Sequence, residues 1–276
     1  MNTAATSIAV TDLPAVAERR STLSWGVRDT LSITGRNLLT LVRLPQLVVF
    51  STIQPIIFVL MFRYVFGGAV EIPGLTVPYV DYLMPGIFVQ TVAFGAVNTA
   101  IGLAEDLNRG LIERFRSLPM ARSAVLAGRT IADLVRDVFV IALMVVVGFI
   151  VGFRIHTNFF IFLGGMLVAL LFAFALAWIF AFIGLSVGNA ETAQAASFPI
   201  LAVLVFASSA FVSPETMPGW LQWWAEHQPL SITVNAVRAT SIGGPTATPV
   251  LQSIAWSVGL IAVFAPIAVR KYRRVA

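Results

Sequence analysis

Long apolar segments alternate with short polar ones from about residue 46 to near the end of the chain. Each apolar segment has about 20 residues or more, the length that an α-helix needs to cross the roughly 30 Å hydrocarbon core of a bilayer. A helix also satisfies its own backbone hydrogen bonds, which lipid cannot do. The pattern therefore predicts an all-α integral membrane protein with six transmembrane helices. The predicted spans are at about 46–66, 83–103, 131–152, 158–185, 193–212 and 250–269.

The composition supports a membrane protein. Hydrophobic residues make up 58% of the 276 residues and charged residues only 11%, with a mean hydropathy of +0.89, whereas a soluble domain has about 25% charged residues. The chain has no cysteine, which excludes a disulfide framework and a thiolate metal site. The net charge of +5 is not a nucleic-acid signal, because the charges are sorted by membrane side.

The two ends of the chain are more polar than the six-span region at 45–270. Residues 1–24 are expected to be a cytoplasmic tail, and residues 271–276 a basic cytoplasmic tail. In residues 25–44, apolar side chains and arginines fall on different faces, which predicts an amphipathic helix in the membrane interface. A helix that packs on a partner protein is the alternative.

A charged segment at residues 104–130 separates the second and third apolar segments. Apolar residues recur at helical spacing within it, from Leu107 to Leu118, and Pro119 should end that helix because proline has no backbone donor. The pattern predicts an amphipathic helix, a sharp bend and a second short helix at the membrane surface. A solvated loop with an interfacial helix is the simpler alternative. The charged residues are Glu105, Asp106, Arg109, Glu113, Arg114, Arg116, Arg122 and Arg129.

Basic residues set the orientation of the predicted spans. If both termini are cytoplasmic, every arginine and the one lysine lie on the cytoplasmic side except Arg63, Arg154 and Arg238. Such an excess of basic residues on the cytoplasmic side is the usual pattern in membrane proteins. We therefore expect both termini and the charged segment to be cytoplasmic.

The second predicted span has one small and polar face. Thr91, Gly95, Asn98 and Gly102 follow one another at spacings of four, three and four residues, and Gln90 adds a further neutral polar group. Small faces let helices in lipid approach closely. Ordinary packing within the subunit, a subunit interface and the lining of a transport pathway all remain open for this face.

Few other charges accompany the spans. Asp133, Arg136 and Asp137 are expected near the cytoplasmic end of the third span, pairing at the surface, and Glu71 and Asp81 are expected in an outer loop. No carboxylate is thus expected deep in a span. This argues against an ion-coupled carrier, because such carriers place ionisable groups near the midplane of the membrane.

The segment from residue 213 to residue 242 is the second informative stretch. Trp220, Trp223 and Trp224 share one helical face there, which predicts a short helix that forms an interfacial aromatic anchor on the outer side. An extracellular loop with a tryptophan anchor is the alternative. A metal role for His227 is not expected, because the chain has only one other histidine.

Three stretches of the chain resemble the permease subunits of type-2 ABC exporters, most closely the daunorubicin-resistance type of antibiotic-transport permease. They are 83–87 (Leu-Met-Pro-Gly-Ile), 105–110 (Glu-Asp-Leu-Asn-Arg-Gly) and 114–122 (Arg-Phe-Arg-Ser-Leu-Pro-Met-Ala-Arg). The resemblance extends from about residue 25 to about residue 270. It implies a cytoplasmic coupling helix between spans 2 and 3 that lies on a separate ATPase, and short outer-leaflet helices between spans 5 and 6.

Nucleotide chemistry is not expected in this chain. A P-loop needs lysine after a glycine-rich loop, and the only lysine, Lys271, follows Ala-Val-Arg. We therefore expect a non-enzymatic subunit without a cofactor of its own, with ATP and magnesium bound by the partner ATPase. The residues expected to contact and couple to that ATPase are Glu105, Asp106, Arg109, Glu113, Arg114 and Arg116.

These expectations describe the permease of an ABC exporter in the bacterial cytoplasmic membrane. Two permeases, expected to form a homodimer, would pair above two ATPases and move an amphipathic drug or antibiotic outward, as in multidrug efflux. Export of a lipid or lipid-linked glycan is the first alternative, an ion-coupled carrier or channel acting alone is the second, and a scaffold without transport is the third. Gln90, Thr91 and Asn98 are the candidates for the pathway.

Overall fold

The computed structural model describes residues 34–35, 45–65, 77–110 and 122–275. These residues form helices and connecting turns, without a strand. The helices are α1 (Pro45–Leu60, continued by a π-helical turn, Met61–Val65), α2 (Tyr79–Asn108), α3 (Arg122–Val151), α4 (Phe159–Val187), α5 (Ala190–Phe206), a 3₁₀ turn (Pro214–Thr216), α6 (Gly219–His227), α7 (Pro229–Ile242) and α8 (Ala247–Val275).

The long helices of the described residues coincide with predicted spans. Four segments are long and apolar enough to cross a membrane, and two further apolar helices are shorter. The all-helical fold is thus confirmed for the described residues, while six crossings stay a prediction. The four are Tyr79–Asn108, Leu126–Val151, Phe159–Val187 and Ala247–Arg274, and the two shorter ones are Thr52–Val65 and Ala190–Phe206.

Several helices extend beyond the predicted spans. α2 continues to Asn108 and α3 begins at Arg122, so both enter the charged segment. The second short helix expected after the bend is therefore the beginning of α3, not a separate element. α8 likewise continues through most of the predicted tail at 271–276, and basic residues in its last turn suit the negative end of a helix dipole. α5 instead ends at Phe206, short of the predicted 212.

α4 lies at the centre of the described helices, packed along α2 and α8. Phe172 and Phe180 of α4 are fully buried and join Leu83 and Phe88 of α2 in one apolar core. The link from α4 to α5 is short because Gly188 adopts a left-handed conformation at the end of α4.

The turn at residues 207–213 joins α5 to the 3₁₀ turn and α6, and is largely buried without being helical. Residues 208–210 are almost fully excluded from solvent. Because lipid offers no hydrogen bonds, carbonyl groups that leave the helical ladder need partners inside the protein. The Gln228 side-chain amide supplies them, donating from Nε2 to the Leu204 carbonyl at 2.9 Å and to the Ala207 carbonyl at 3.3 Å.

Arg238 of α7 connects this turn to α2. Its guanidinium donates to the Ser209 carbonyl at 2.9 Å, the Asn235 Oδ1 atom at 2.9 Å and the Tyr82 carbonyl at 3.3 Å. The guanidinium carbon also lies 3.7 Å from the centre of the Tyr82 ring, a cation–π arrangement. One side chain thus joins the turn, α7 and the beginning of α2.

Asp81 does not lie in an outer loop, as the sequence had suggested. It is in the first turn of α2 and only 1% exposed. Its carboxylate accepts from the Arg154 backbone N–H at 2.8 Å and contacts His156 Nε2 at 2.7 Å. The carboxylate therefore holds the link between α3 and α4 against the beginning of α2.

Three predicted elements lie wholly or mostly outside the described residues. They are the tail at 1–24, the interfacial helix at 25–44 and the centre of the coupling helix at 111–121. Of the interfacial helix, residues 34–35 are described and helical. Thr34 is buried and its hydroxyl donates to the Gly128 carbonyl of α3 at 3.1 Å, so this part of the chain packs on α3.

Candidate functional site

A cavity of about 360 Å³ lies between α1, α2, α3 and α5. α2 supplies most of its wall, and α3 supplies the charged part. Apolar and neutral polar groups alternate around it. Its lining residues are Gln54, Pro55, Gln90, Thr91, Phe94, Gly95, Val97, Asn98, Ile101, Arg136, Asp137, Val140, Gln194 and Phe198.

Four of the five residues expected at a pathway or dimer interface line this cavity: Gln90, Thr91, Gly95 and Asn98. The fifth, Gly102, faces α3 instead, because a Cβ atom there would lie 1.4 Å from the Arg129 guanidinium. The small and polar face of α2 therefore divides into two parts. Its middle lines the cavity and its C-terminal part packs within the subunit.

The cavity has an amide-lined mouth and a buried floor. Gln54, Asn98 and Gln194, from three different helices, are exposed at its mouth. Gln90 lies at the floor, only 2% exposed, and its Oε1 atom has no hydrogen-bond partner among the described residues. A molecule entering from the mouth would thus pass neutral hydrogen-bonding groups before it reached this acceptor.

A charged cluster on α3 adjoins the floor, and two of its members, Arg136 and Asp137, line the cavity. Arg136 Nη2 donates to Asp137 Oδ1 at 3.1 Å and to the Gly95 carbonyl of α2 at 2.8 Å, and Arg136 Nη1 lies 3.3 Å from Asp133 Oδ1. Thr99 of α2 donates to Asp133 Oδ2 at 2.6 Å. The cluster therefore ties α2 to α3.

The expectation that these charges pair at the surface is wrong. Arg136 is 9% exposed and Asp137 is 5% exposed. Because α3 begins at Arg122 and ends at Val151, Asp137 is about 20 Å along the axis from either end. A carboxylate therefore lies deep in a span, contrary to the sequence-based expectation. The spacing of the cluster along α3 was visible in the sequence, but its depth was not.

The described part of the expected ATPase contact is the C-terminal end of α2. Glu105 and Arg109 form an ion pair there, one helical turn apart and both well exposed. Asp106 instead pairs with Arg129 of α3 at 2.8 Å and is partly buried, so it fastens the two helices together. The remaining three, Glu113, Arg114 and Arg116, lie outside the described residues.

The three expected anchor residues are together on α6. Trp220, Trp223 and Trp224 all have large exposed surfaces, as a membrane-interface anchor requires. Trp223 stacks on His227 at 5.0 Å between ring centres. Trp223 and Trp224 also line an apolar cavity of about 760 Å³ between α5, α6 and α8.

No group of three or more histidine or acidic side chains is arranged for a metal ion within the described residues. The charges of the first cavity form ion pairs with one another, and its other polar groups are amides and a hydroxyl. Such a site can bind and orient a ligand by hydrogen bonds and charge. It has no nucleophile paired with a base.

Comparison with known proteins agrees with an all-helical membrane protein. Residues 28–242 match the family model of the ABC-2 type transporter. The chain is 36% identical over 268 residues to the daunorubicin resistance ABC transporter permease protein DrrB1 of Streptomyces coeruleorubidus, covering 94% of each chain. It is 28% identical over 256 residues to the probable doxorubicin resistance ABC transporter permease protein DrrC of Mycobacterium tuberculosis (strain H37Rv), covering 90% of this chain and 89% of the relative.

A more distant relative is the putative transport permease ycf38 of Cyanophora paradoxa, 23% identical over 223 residues, covering 77% of this chain and 73% of the relative. The match to the family model covers most of the sequence and includes α1 to α7. Permeases of this family work with an ATPase subunit. This chain therefore belongs to the ABC-2 type transporter family, as one of its membrane-embedded permeases.

Proposed function

We propose that this chain is the permease of an exporter that moves an amphipathic drug or antibiotic outward across the bacterial cytoplasmic membrane. A separate ATPase subunit hydrolyses the ATP. Two copies of the chain, with both termini in the cytoplasm, form a homodimer above two ATPases. The relatives named for daunorubicin and doxorubicin resistance support this substrate class.

The observation that carries the proposal is the continuity of α2. One 30-residue helix holds Gln90, Thr91 and Asn98 at the cavity and Glu105 in its last turn, and Arg109 directly follows its last residue. Asn98 and Arg109 are about 16 Å apart along the axis of this helix. A push on its cytoplasmic end would therefore tilt the cavity wall as a rigid body, without a relay through other elements.

The coupling test reverses three charges of the charged segment together, Arg109→Glu, Glu113→Arg and Arg116→Glu. The permease should still insert in the membrane, while co-purification of the partner ATPase and drug export should both be lost. Glu226→Arg is the matched control, because Glu226 is an exposed carboxylate on α6. Normal co-purification and export in the triple variant would refute the assignment of the ATPase contact.

The orientation can be tested separately because the chain has no cysteine. Asn108 and Glu226 are both exposed, at opposite ends of the fold, so Asn108→Cys and Glu226→Cys each introduce one reactive thiol. A membrane-impermeant maleimide added to intact cells should label Glu226→Cys only, and Asn108→Cys should react only after lysis. The reverse pattern would place the proposed ATPase contact outside the cell.

Asp137 gives a specific reason to keep an ion-coupled carrier as the second candidate. A buried carboxylate deep in a span is the feature such a carrier needs. Efflux that persists without the ATPase and stops when a protonophore is added would favour that candidate. Efflux that needs a hydrolysis-competent ATPase would exclude the ion-coupled carrier. Transport of a labelled lipid, with no transport of drug, would instead identify an exporter of lipids or lipid-linked glycans.

A further inference from the structure

The charged cluster at the floor of the cavity has more carboxyl groups than guanidinium groups. Asp133 and Asp137 supply two carboxyl groups and Arg136 one guanidinium, and all three side chains are largely buried; of these, Arg136 and Asp137 line the cavity. One guanidinium can fully neutralise only one of the two carboxylates. A buried charge without a counter-ion is costly in a low-dielectric region, so the cavity favours a ligand that brings a positive charge.

Hydrogen-bond partners within the cluster are unevenly distributed. One carboxylate oxygen of Asp133 pairs with the Arg136 guanidinium, and the other accepts a hydrogen bond from the Thr99 hydroxyl. Asp137 receives Arg136 on Oδ1, and no donor reaches its Oδ2 atom from the described part of the chain. Arg136 is also held by the Gly95 carbonyl. Asp137 is therefore the carboxylate with remaining capacity to accept, and its side chain lines the cavity.

Gln90 provides an independent second acceptor. Its side chain lines the same cavity, is 2% exposed, and has an Oε1 atom with no partner among the described residues. A buried acceptor left without a donor carries a free-energy cost, because it has lost its hydrogen bonds with water. A ligand with a hydrogen-bond donor at this place would remove that cost. Gln90 is on α2 and Asp137 is on α3, so the two acceptors face the cavity from different helices.

The rest of the lining suits an apolar body. Phe94, Ile101, Val140 and Phe198 supply aromatic and aliphatic surface around the polar floor. The volume of about 360 Å³ lies within the range of about 300–1,000 Å³ that small-molecule sites have. Aromatic faces also attract organic cations. The shape of the cavity and its charged groups thus both suit a ligand with an apolar body and a positive charge.

We infer that this cavity binds an amphipathic organic cation, whose ammonium group donates hydrogen bonds to Asp137 and Gln90. The apolar part of the ligand packs on Phe94 and Phe198, and the exposed amides at the mouth are the first groups that it meets. The inference rests on the proposed function in that the cavity is taken to be part of the transport route. Asp137 and Gln90 are its binding residues.

The test uses two probes that differ in charge at one end. Dansylcadaverine carries a terminal ammonium group, and N-hexyl dansylamide carries a methyl group in its place. Binding of each probe is measured by dansyl fluorescence with the full chain in lipid nanodiscs, after subtraction of the signal from empty nanodiscs. After this subtraction, the ammonium probe should bind to the protein more tightly than the hexyl probe does.

The variants Asp137→Asn and Gln90→Leu keep nearly the same side-chain volume. Asp137→Asn should weaken binding of the ammonium probe about tenfold or more, because bonds to a charged acceptor are the stronger ones, and should change binding of the hexyl probe less than twofold. Gln90→Leu should weaken the ammonium probe about threefold to tenfold. Glu226→Gln, which removes an exposed carboxylate far from the cavity, is the control and should change neither.

Equal losses for both probes would show that Asp137 only supports the structure, and unchanged binding of the ammonium probe would also overturn the inference. If Asp137→Asn does not fold, Gln90→Leu decides, because that change leaves the ion pairs of Arg136 intact. The two proposals fail in different ways. If the cavity prefers the ammonium probe but the chain does not associate with an ATPase, the proposed function is refuted and this inference is not. If the chain exports drug with ATP but the Asp137 and Gln90 variants bind both probes as the unaltered chain does, this inference is refuted and the proposed function is not.

Discussion

Gly86 lies where α2 meets the turn at residues 207–213, and its replacement by alanine tests the closest contact there. A Cβ atom at Gly86 would lie 2.2 Å from the Ala210 carbonyl oxygen and 2.9 Å from its carbonyl carbon. Real Cβ atoms essentially never come closer than 3.0 Å to another atom. Because the contacted atoms are backbone, no change of rotamer relieves the clash. α2 or the turn must move by about 1 Å to restore ordinary contact.

The expected cost is the balance of two effects. Alanine favours a helix over glycine by about 1 kcal/mol, which stabilises the variant. Overpacking of a dense interior costs about 1–3 kcal/mol, and a clash with backbone belongs at the upper end. Movement of the turn would also strain its hydrogen bonds with Gln228 and Arg238, each contributing about 1 kcal/mol. We expect Gly86→Ala to lower the free energy of unfolding by about 2 kcal/mol.

Gly164→Ala is the matched control, because Gly164 is inside α4 and a Cβ atom there would meet nothing within 4 Å. The midpoint of thermal unfolding in detergent, followed by tryptophan fluorescence, should fall by about 4–8 °C for Gly86→Ala and stay unchanged or rise slightly for Gly164→Ala. Equal midpoints for the two variants would refute the close approach of α2 to the turn.

Two further predictions concern arginines that hold helices together. Arg129→Ala should lower the unfolding midpoint by several degrees, because it leaves the partly buried Asp106 without its partner. Arg109→Ala is the control and should change the midpoint little, because it breaks an exposed ion pair worth about 0–1 kcal/mol. Similar midpoints for the two variants would contradict the view that Arg129 fastens α2 to α3. Arg238→Lys should also destabilise the fold, because a lysine cannot serve the same three acceptors at once. Tyr82→Phe keeps the ring beneath Arg238 and should have little effect on the midpoint, and a loss in Tyr82→Phe as large as in Arg238→Lys would refute the cation–π account.

Hydropathy was sufficient to predict most of the helices, because a long apolar helix satisfies its own backbone and needs no information from elsewhere in the chain. The ends of the helices were less predictable. Glu105 and Arg129 were expected in a surface segment because they are charged, yet α2 and α3 include them. Arg129 lies in the space left by Gly102 and pairs with Asp106. Such neutralisation across two helices is not visible in either segment alone.

The candidate site shows the same limit. Gln90, Thr91 and Asn98 were identified from one helical face, because spacing along α2 decides which residues lie side by side. Asp137 was assigned to the surface because the beginning of α3 was placed too late in the chain. Its actual surroundings depend on Gly95, where the absence of a side chain makes room for the Asp137 carboxylate. A contact between residues this far apart in sequence requires the folded structure.

The early end of α5 has a consequence for the surrounding lipid. Its 17 residues give a length of about 25 Å, less than the roughly 30 Å thickness of a typical hydrocarbon core. If α5 spans the membrane, the bilayer beside it must become thinner, or the tryptophans of α6 must cover the remaining acyl chains. Membrane thickness would then be a variable to which this side of the permease is directly sensitive, and fatty-acid chain length in the host would act on it as a physical regulator.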